Sequence, residues 1–193
     1  MPNTFPIIIY GAGGHGKVIA ETLQLLHHNT IEFWDQNYEN TPSEYPVLPP
    51  FSSTEGRIIL GIGNLQLRKE ILESKGDVIP FINHFLAHPT AFVSPSAVVN
   101  RGTWIGPLAL IHAHAHLGEH CIINSGAVVD HDVRIGNNVH VAPGAVLCGQ
   151  VRIGDHAFIG ANAVIPPGIS IGNRAFIKAG SVVKENVEDG GTA

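Results

Sequence analysis

An aliphatic residue recurs at every sixth position through the second half of this chain. From Val93 to Val183 all sixteen such positions are Val, Ile or Leu, without a gap or an insertion. Four residues after most of them stands a small residue, as at Ala109, Ala127 and Ala145. Such a hexad describes a short strand and a sharp corner, with the aliphatic side chain pointing inward and the small residue filling the corner. Three hexads make one triangular coil of 18 residues, so the segment predicts a parallel β-helix of about five coils.

Glycine is placed regularly within this repeat. It directly follows the aliphatic residue at Gly106, Gly118, Gly136, Gly154, Gly160 and Gly172. Because glycine reaches backbone conformations closed to other residues, we expect these positions to supply freedom at the turns. An ice-binding or purely structural β-helix is the alternative explanation of the repeat. Those proteins favour regular Thr-rich outer faces, whereas the outward positions here vary.

The first half of the chain alternates short apolar runs with helical patterns. Strands are predicted at 7–10, 31–35, 58–64 and 78–82, with helices after the first and the third. The Pro- and Ser-rich stretch 40–53 is expected to be a loop, and 84–95 to connect the two halves. Strand and helix in alternation indicate a small parallel α/β fold. We therefore expect an α/β, Rossmann-like domain at residues 1–85 and an all-β domain at residues 86–193.

A glycine-rich loop, Gly11 to Gly16, joins the first predicted strand to the first helix. Backbone N–H groups at such a helix N-terminus favour phosphate, and glycine lets a ligand approach the backbone closely. Asp35, at the end of the second strand, is placed to accept a hydrogen bond from a ribose or a base. NAD is disfavoured because the region is too short for a complete dinucleotide fold, whereas a mononucleotide fits. A tight turn without a ligand is the alternative.

One histidine of the repeat lies between two acids, in the order Asp130, His131, Asp132. A general base needs a pKa near neutrality, and histidine is the usual one. An adjacent carboxylate fixes the imidazole tautomer and raises its basicity. We expect His131 to be the general base and Asp132 to orient it. A turn histidine between two solvated aspartates is the alternative.

Three further histidines, His112, His114 and His116, alternate with alanine. On one strand they would share an outward face, where they would either bind a metal around a threefold axis or pack at a subunit interface. Packing is the favoured interpretation, and no metal is expected.

Composition excludes several classes of function. The net charge is −5 and the 11 Lys and Arg residues are scattered, which argues against a nucleic-acid partner. No run approaches the roughly 20 apolar residues that span a bilayer, and the start of the chain lacks the pattern of a signal peptide. Cys121 and Cys148 lack metal-site spacing. A soluble protein in a reduced, cytoplasmic setting is expected.

The hexad pattern resembles that of the hexapeptide-repeat acyltransferases. The glycine loop, Phe33-Trp34-Asp35 and Gly61-Ile62-Gly63-Asn64 resemble the amino-terminal domain of one branch of that family. The branch contains sugar-nucleotide N-acetyltransferases of the diacetylbacillosamine type and sialic acid O-acetyltransferases. The resemblance implies a left-handed β-helix, a homotrimer and acetyl-CoA as co-substrate. It also implies that the nucleotide-sugar is bound at Gly13, Gly14, His15, Asp35 and Asn64.

The same resemblance implies roles in the β-helix. A histidine followed by an acid, here His131 and Asp132, is the general base of the family. Asn124 would lie near the sugar and His140 near the acetyl carbonyl or CoA. Small residues would admit the pantetheine arm of acetyl-CoA at Ala142, Gly160 and Ala161. The function expected is N-acetylation of a nucleotide-linked amino sugar; the alternatives are O-acetylation of sialic acid or another small acceptor, and a non-enzymatic nucleotide-binding scaffold.

Overall fold

The chain consists of two units, Met1–Asn83 and His84–Ala193. The computed structural model describes residues 6–52, 55–76 and 78–193. Among the helices within these ranges, none is both long and apolar enough to cross a bilayer.

The first unit is a small parallel α/β fold. Its elements are β1 (Ile7–Tyr10), α1 (Gly14–Leu25), β2 (Ile31–Trp34), a 3₁₀ helix (Tyr38–Asn40), β3 (Val47–Leu48), β4 (Arg57–Leu60) and α2 (Leu65–Lys75). The four strands form a parallel sheet in the order β3-β2-β1-β4. Apolar residues of the two central strands, such as Ile8, Ile9 and Phe33, are almost fully buried. The predicted α/β fold is confirmed.

Two predictions for this unit are wrong in detail. The stretch 40–53 is not only a loop, because Val47–Leu48 pairs with the end of β2. The predicted strand at 78–82 is reduced to one bridge between Ile58 and Phe81. The Ile58 N–H donates to the carbonyl oxygen of Pro80, and the Ile82 N–H donates to that of Ile58. Pro80 has no N–H with which to extend this pairing toward the start of β4.

The second unit is a three-sided parallel β-helix of two-residue strands. They are Leu86–Ala87 (β5), Phe92–Val93 (β6), Val98–Val99 (β7), Trp104–Ile105 (β8), Leu110–Ile111 (β9), His116–Leu117 (β10), Ile122–Ile123 (β11), Val128–Val129 (β12), Arg134–Ile135 (β13), His140–Val141 (β14), Val146–Leu147 (β15), Arg152–Ile153 (β16), Phe158–Ile159 (β17), Val164–Ile165 (β18), Ser170–Ile171 (β19) and Phe176–Ile177 (β20). Each strand pairs with the third strand further along the chain, up to the ends of the prism, so three parallel sheets run along it.

The second residue of each strand points inward and forms one continuous core. The aliphatic positions from Ile105 onward are at most 5% exposed, and the small corner residues Ala109, Ala127, Ala145 and Ala163 are fully buried. The hexad prediction is therefore confirmed. The prediction that residues 84–95 only connect the two halves is wrong, because β5 and β6 already belong to the prism. Ala87 stands at the inward position of β5, and this small side chain hides the repeat there.

The glycines after the aliphatic residues have a different role from the one predicted. None of them has a positive φ. A Cβ atom on them would collide with the next coil: on Gly118 with the carbonyl oxygen of Gly136, and on Gly154 with the backbone nitrogen of Asn173 at 2.6 Å. Close stacking of coils thus requires these glycines. The left-handed conformation lies two residues later, at every sixth position from Gly102 to Gly180.

The three faces of the prism differ in the chemistry of their outward residues. Face 1 is entirely apolar and carries Phe92, Leu110, Val128, Val146 and Val164. Face 2 is mostly polar, with Val98, His116, Arg134, Arg152 and Ser170. Face 3 carries Leu86, Trp104, Ile122, His140, Phe158 and Phe176.

Candidate functional site

The glycine loop presents open backbone at the start of α1. Gly13 is the N-cap residue of the helix and provides no side-chain cap. Both Gly13 and Gly14 are exposed, and no atom lies within 4 Å of the point where a Cβ would stand. Gly16, by contrast, is buried, and a Cβ atom on it would collide with the carbonyl oxygen of Gly11. The first two glycines therefore leave room for a ligand at the helix N-terminus, and the third permits the turn to close.

Asp35 holds this loop against the end of β2. Its Oδ2 atom accepts a hydrogen bond from the backbone N–H of Ala12 at 2.9 Å, and Oδ1 accepts one from Asn37 at 2.9 Å. Each carboxylate oxygen has a further lone pair, so the side chain can still accept from a ligand. His15 is half-buried in the first turn of α1. Asn64 is the N-cap of α2, where its Oδ1 accepts from the N–H of Leu67 at 2.9 Å.

Depressions open between described residues of the first unit, and two of them bear on ligand binding. The smaller, about 170 Å³, lies at the carboxyl ends of β1 and β2 and is lined by Tyr10, Gly11, Asp35 and Ile62, among others. The sheet order changes direction between β1 and β4, and ligands of open parallel sheets bind at such switch points. The larger depression, about 430 Å³, lies between α1 and the segment 42–45 and was not predicted from the sequence.

His131 and Asp132 form a hydrogen-bonded pair at the corner that follows β12. The Nδ1 atom of His131 lies 2.8 Å from Oδ2 of Asp132, and both side chains are about half exposed. The backbone N–H of His131 donates to Oδ1 of Asp130 at 2.7 Å. Asp132 has φ of 60°, the left-handed conformation of the corner, which aspartate tolerates better than most residues. The geometry thus brings together the imidazole and the carboxylate that the sequence analysis paired.

Electrostatics makes this imidazole more basic. The hydrogen bond with Asp132, reinforced by the charge of Asp130, raises the pKa of His131 above its usual value. The same hydrogen bond lowers the pKa of Asp132, which is therefore ionised near neutrality. An ionised carboxylate at Nδ1 favours the tautomer protonated on that nitrogen, which leaves Nε2 of neutral His131 free to accept a proton.

A second polar pair lies at the corner between faces 3 and 1. The Nδ2 atom of Asn124 is 3.4 Å from Nε2 of His140, and the His140 ring packs edge-on against Phe158 at 5.2 Å. Ala142 and Gly160 lie above Asn124 in the next two coils. Ala142 is buried, Gly160 packs against the backbone of the following coil, and Ala161 is half-buried.

These two groups of predicted residues do not meet within one chain. Asn124 precedes β12 and His131 follows it, so the two side chains lie at opposite edges of face 1. Asn124, His140, Ala142, Gly160 and Ala161 gather at one edge, and His131 with Asp132 at the other.

The three alternating histidines do not share a face, contrary to the prediction. His112 follows β9, His114 stands in the corner with φ of 60°, and His116 is the outward residue of β10. The three residues thus lie on either side of a corner and within it, and not on one strand. Among the described residues, no group of three His, Cys, Asp or Glu side chains is arranged to hold a metal ion.

Family models match both units of the chain. Residues 6–75 match the PglD N-terminal domain. Residues 96–131 and 114–149 match the bacterial transferase hexapeptide of six repeats, and residues 150–185 match the hexapeptide repeat of succinyl-transferase.

Three relatives extend these matches. UDP-N-acetylbacillosamine N-acetyltransferase of Bacillus subtilis (strain 168) is 37% identical over 113 residues, which cover 51% of this chain and only half of that protein. The acetyltransferase domain of PglB from Neisseria gonorrhoeae FA1090, solved in complex with acetyl coenzyme A, is 33% identical with a TM-score of 0.89, over 97% of this chain and 94% of that one. A mutant of perosamine N-acetyltransferase from Caulobacter crescentus, in complex with CoA and GDP-perosamine, is 31% identical with a TM-score of 0.91, over 98% and 93%.

Proposed function

Since the chain belongs to the PglD-like hexapeptide-repeat sugar N-acetyltransferases, we propose that it transfers the acetyl group of acetyl-CoA to the amine of a nucleotide-linked amino sugar. The observation that carries this proposal is the His131–Asp132 pair, a base with an ionised orienting group at a corner of the prism. Two relatives bind the matching ligands: one structure contains acetyl coenzyme A, and the other contains CoA with an amino-sugar nucleotide.

In the proposed reaction the neutral amine attacks the thioester carbonyl carbon and forms a C–N bond. Nε2 of His131 accepts the proton that the nitrogen loses, and Asp132 stabilises the resulting imidazolium. The C–S bond then breaks, and the sulfur leaves as CoA thiol after it receives a proton from the imidazolium. Atoms and charges balance without a covalent enzyme intermediate, and the chemistry requires no metal.

The acceptor's nucleotide is assigned to the first unit. Gly13 and Gly14 offer exposed backbone at a helix N-terminus, where the diphosphate would bind. Asp35 and the depression beside it would receive the ribose or base, with His15 and Asn64 flanking the ligand. This assignment agrees with the match of residues 6–75 to the PglD N-terminal domain.

We propose a homotrimer in which each site is built by two chains. Face 1 is an uninterrupted apolar surface, and Phe92 and Leu110 on it are exposed. Large exposed apolar patches mark association surfaces. His131 and Asn124 stand at its opposite edges, so packing of face 1 against a second copy would bring the His131 edge of one chain towards the Asn124 edge of the other. Acetyl-CoA would lie in this cleft, beside His140, Ala142, Gly160 and Ala161.

The first test is a thermal-shift panel of UDP-, dTDP-, GDP- and CMP-linked sugars, because a ligand that binds only the folded state raises the melting temperature. Each stabilising nucleotide-sugar is then tested, in its amino form, for CoA release from acetyl-CoA. We expect one nucleotide class to stabilise the protein and its 4-amino sugar to be turned over. Stabilisation by CMP-sialic acid with acetylation of a hydroxyl would instead identify an O-acetyltransferase. Binding of a nucleotide-sugar without any turnover would identify a non-enzymatic nucleotide-binding scaffold.

A further inference from the structure

We propose that Gly149 is a positioning residue for His131: the missing side chain leaves the space in which the imidazole lies while it bonds to Asp132. The proposal rests on the assignment of His131 as the general base. It concerns a contact within one chain, between one corner of the prism and the same corner one coil further on.

The first observation is steric. A Cβ atom built on Gly149 would lie 2.6 Å from Nε2 and 2.7 Å from Cε1 of His131, and 3.4 Å from Cδ2. Side-chain carbons essentially never approach ring atoms so closely, so any other residue here would displace the ring. Gly149 itself is buried although it stands at a corner, since the half-exposed imidazole covers it.

The second observation is that the backbone does not require glycine at this position. Gly149 has no positive φ, unlike Gly144 and Gly168, which stand at left-handed positions of the repeat. The left-handed residue of its own corner is Gln150, with φ of 65°. The backbone conformation therefore does not explain why this position is a glycine. The neighbouring ring of His131 explains it, because a side chain here would collide with that ring.

The third observation comes from the repeat. His131 and Gly149 both stand two residues after an inward aliphatic residue, and sixteen positions of this kind run from Pro95 to Glu185. Proline, alanine, serine and larger polar residues occupy them, and glycine occurs only at Gly149. This one glycine lies directly above His131 in the next coil. The Gln150 N–H donates to the His131 carbonyl oxygen and fixes this register between the two coils.

Kinetics of Gly149→Ala test the positioning role. The added methyl should push the ring from Asp132, so kcat should fall on the order of 10–100-fold while the KM for acetyl-CoA and acceptor stays nearly constant. The acid limb of the pH profile should move to lower pH, because the ring loses the contact with Asp132 and part of its proximity to Asp130. Unchanged kcat with an unchanged limb would overturn the proposal. Gly190→Ala is the control, as Gly190 has φ of 69° at another corner and no atom within 4 Å of an added Cβ.

A double-mutant cycle tests the contact itself, independently of any acetylation. Gly149→Ala should lower the melting temperature of the native chain, and this loss should shrink or vanish in a His131→Ala background, where the ring is absent. Gly190→Ala should cost the same in both backgrounds. Equal losses from Gly149→Ala in both backgrounds would show that the methyl does not meet His131 and would sink the proposal. A coupled cycle in a protein that acetylates no sugar would leave the contact intact and refute the proposed function alone.

Discussion

The Nδ1 atom of His131 lies 2.8 Å from the Oδ2 atom of Asp132, and the two residues are adjacent in the chain. A histidine and its orienting acid usually come from separate parts of a fold. Here both stand at one corner of the prism, where Asp132 has the left-handed conformation with φ of 60°. The corner of one coil therefore holds both members of the pair, and this arrangement leads to the first two predictions.

Substitution His131→Ala removes the proposed base. A positioned base contributes typically about 10²–10⁴-fold, so kcat should fall by about that factor while the acceptor still binds and the oligomer still assembles. His28→Ala, at an exposed position after α1, is the matched control and should leave kcat unchanged. Turnover close to that of the native chain would place the base elsewhere, with His140 as the next candidate.

The pH dependence reports the bond between the two side chains. Activity requires neutral His131, so it should rise with pH through a pKa above that of an ordinary histidine, because Asp132 and then Asp130 raise it. In Asp132→Asn the chief cause of the raised pKa of His131 is gone, so the acid limb of the pH profile should move to lower pH. The loss of kcat should be smaller than in His131→Ala. If the acid limb of the pH profile does not move in Asp132→Asn, it reports a titrating group other than His131.

Valine at Gly14 should obstruct the acceptor and leave acetyl-CoA binding intact. No atom lies within 4 Å of the Cβ position at Gly14, and valine has a better helix propensity than glycine, so the fold should tolerate the substitution. The KM of the nucleotide-sugar should rise strongly in steady-state kinetics. Leu25→Val, on the exposed end of the same helix, is the control. A matching rise in the KM of acetyl-CoA would assign the co-substrate to this unit.

Arginine at Val146 should prevent assembly through face 1. A charge in an apolar interface is left without a partner, which is costly. Light scattering after size exclusion should show a smaller particle for Val146→Arg, with acetyl transfer lost and the circular dichroism retained. Val98→Arg makes the same change on face 2 and should preserve both mass and activity. Native mass and activity in Val146→Arg would exclude face 1 as the subunit interface.

Much of this fold follows from the hexad, because an inward aliphatic side chain at a fixed interval defines both the core and the corners. The position of the left-handed residue did not follow. Leu108, His114 and Gln150 adopt it with φ between 59° and 65°, although their residue types give no sign of it. Hydrogen bonds from one coil to the next impose that conformation, and they are not visible in composition.

The candidate site was predicted in its parts and not in its arrangement. Asp132 beside His131 is a local relationship, so the sequence was sufficient to predict it. The separation of Asn124 from His131 by face 1 depends on where each corner falls around the prism. The role of Gly149 depends on its stacking against the His131 ring one coil away, which the sequence does not show. The sequence signal is that Gly149 is the one glycine in its register of the repeat.

The most direct test offers the protein two nucleotide-sugars that differ in one functional group, an amine in one and a hydroxyl at the same carbon in the other. Both carry the nucleotide that stabilises the protein in the thermal-shift panel, and each is incubated with acetyl-CoA. Release of CoA is followed, and the product is identified by mass spectrometry and NMR. We predict an amide on the amino sugar, no acetylation of the hydroxyl analogue, and loss of turnover in His131→Ala. Acetylation of the hydroxyl with none of the amine, or no transfer to any amino-sugar nucleotide, would contradict the proposed function.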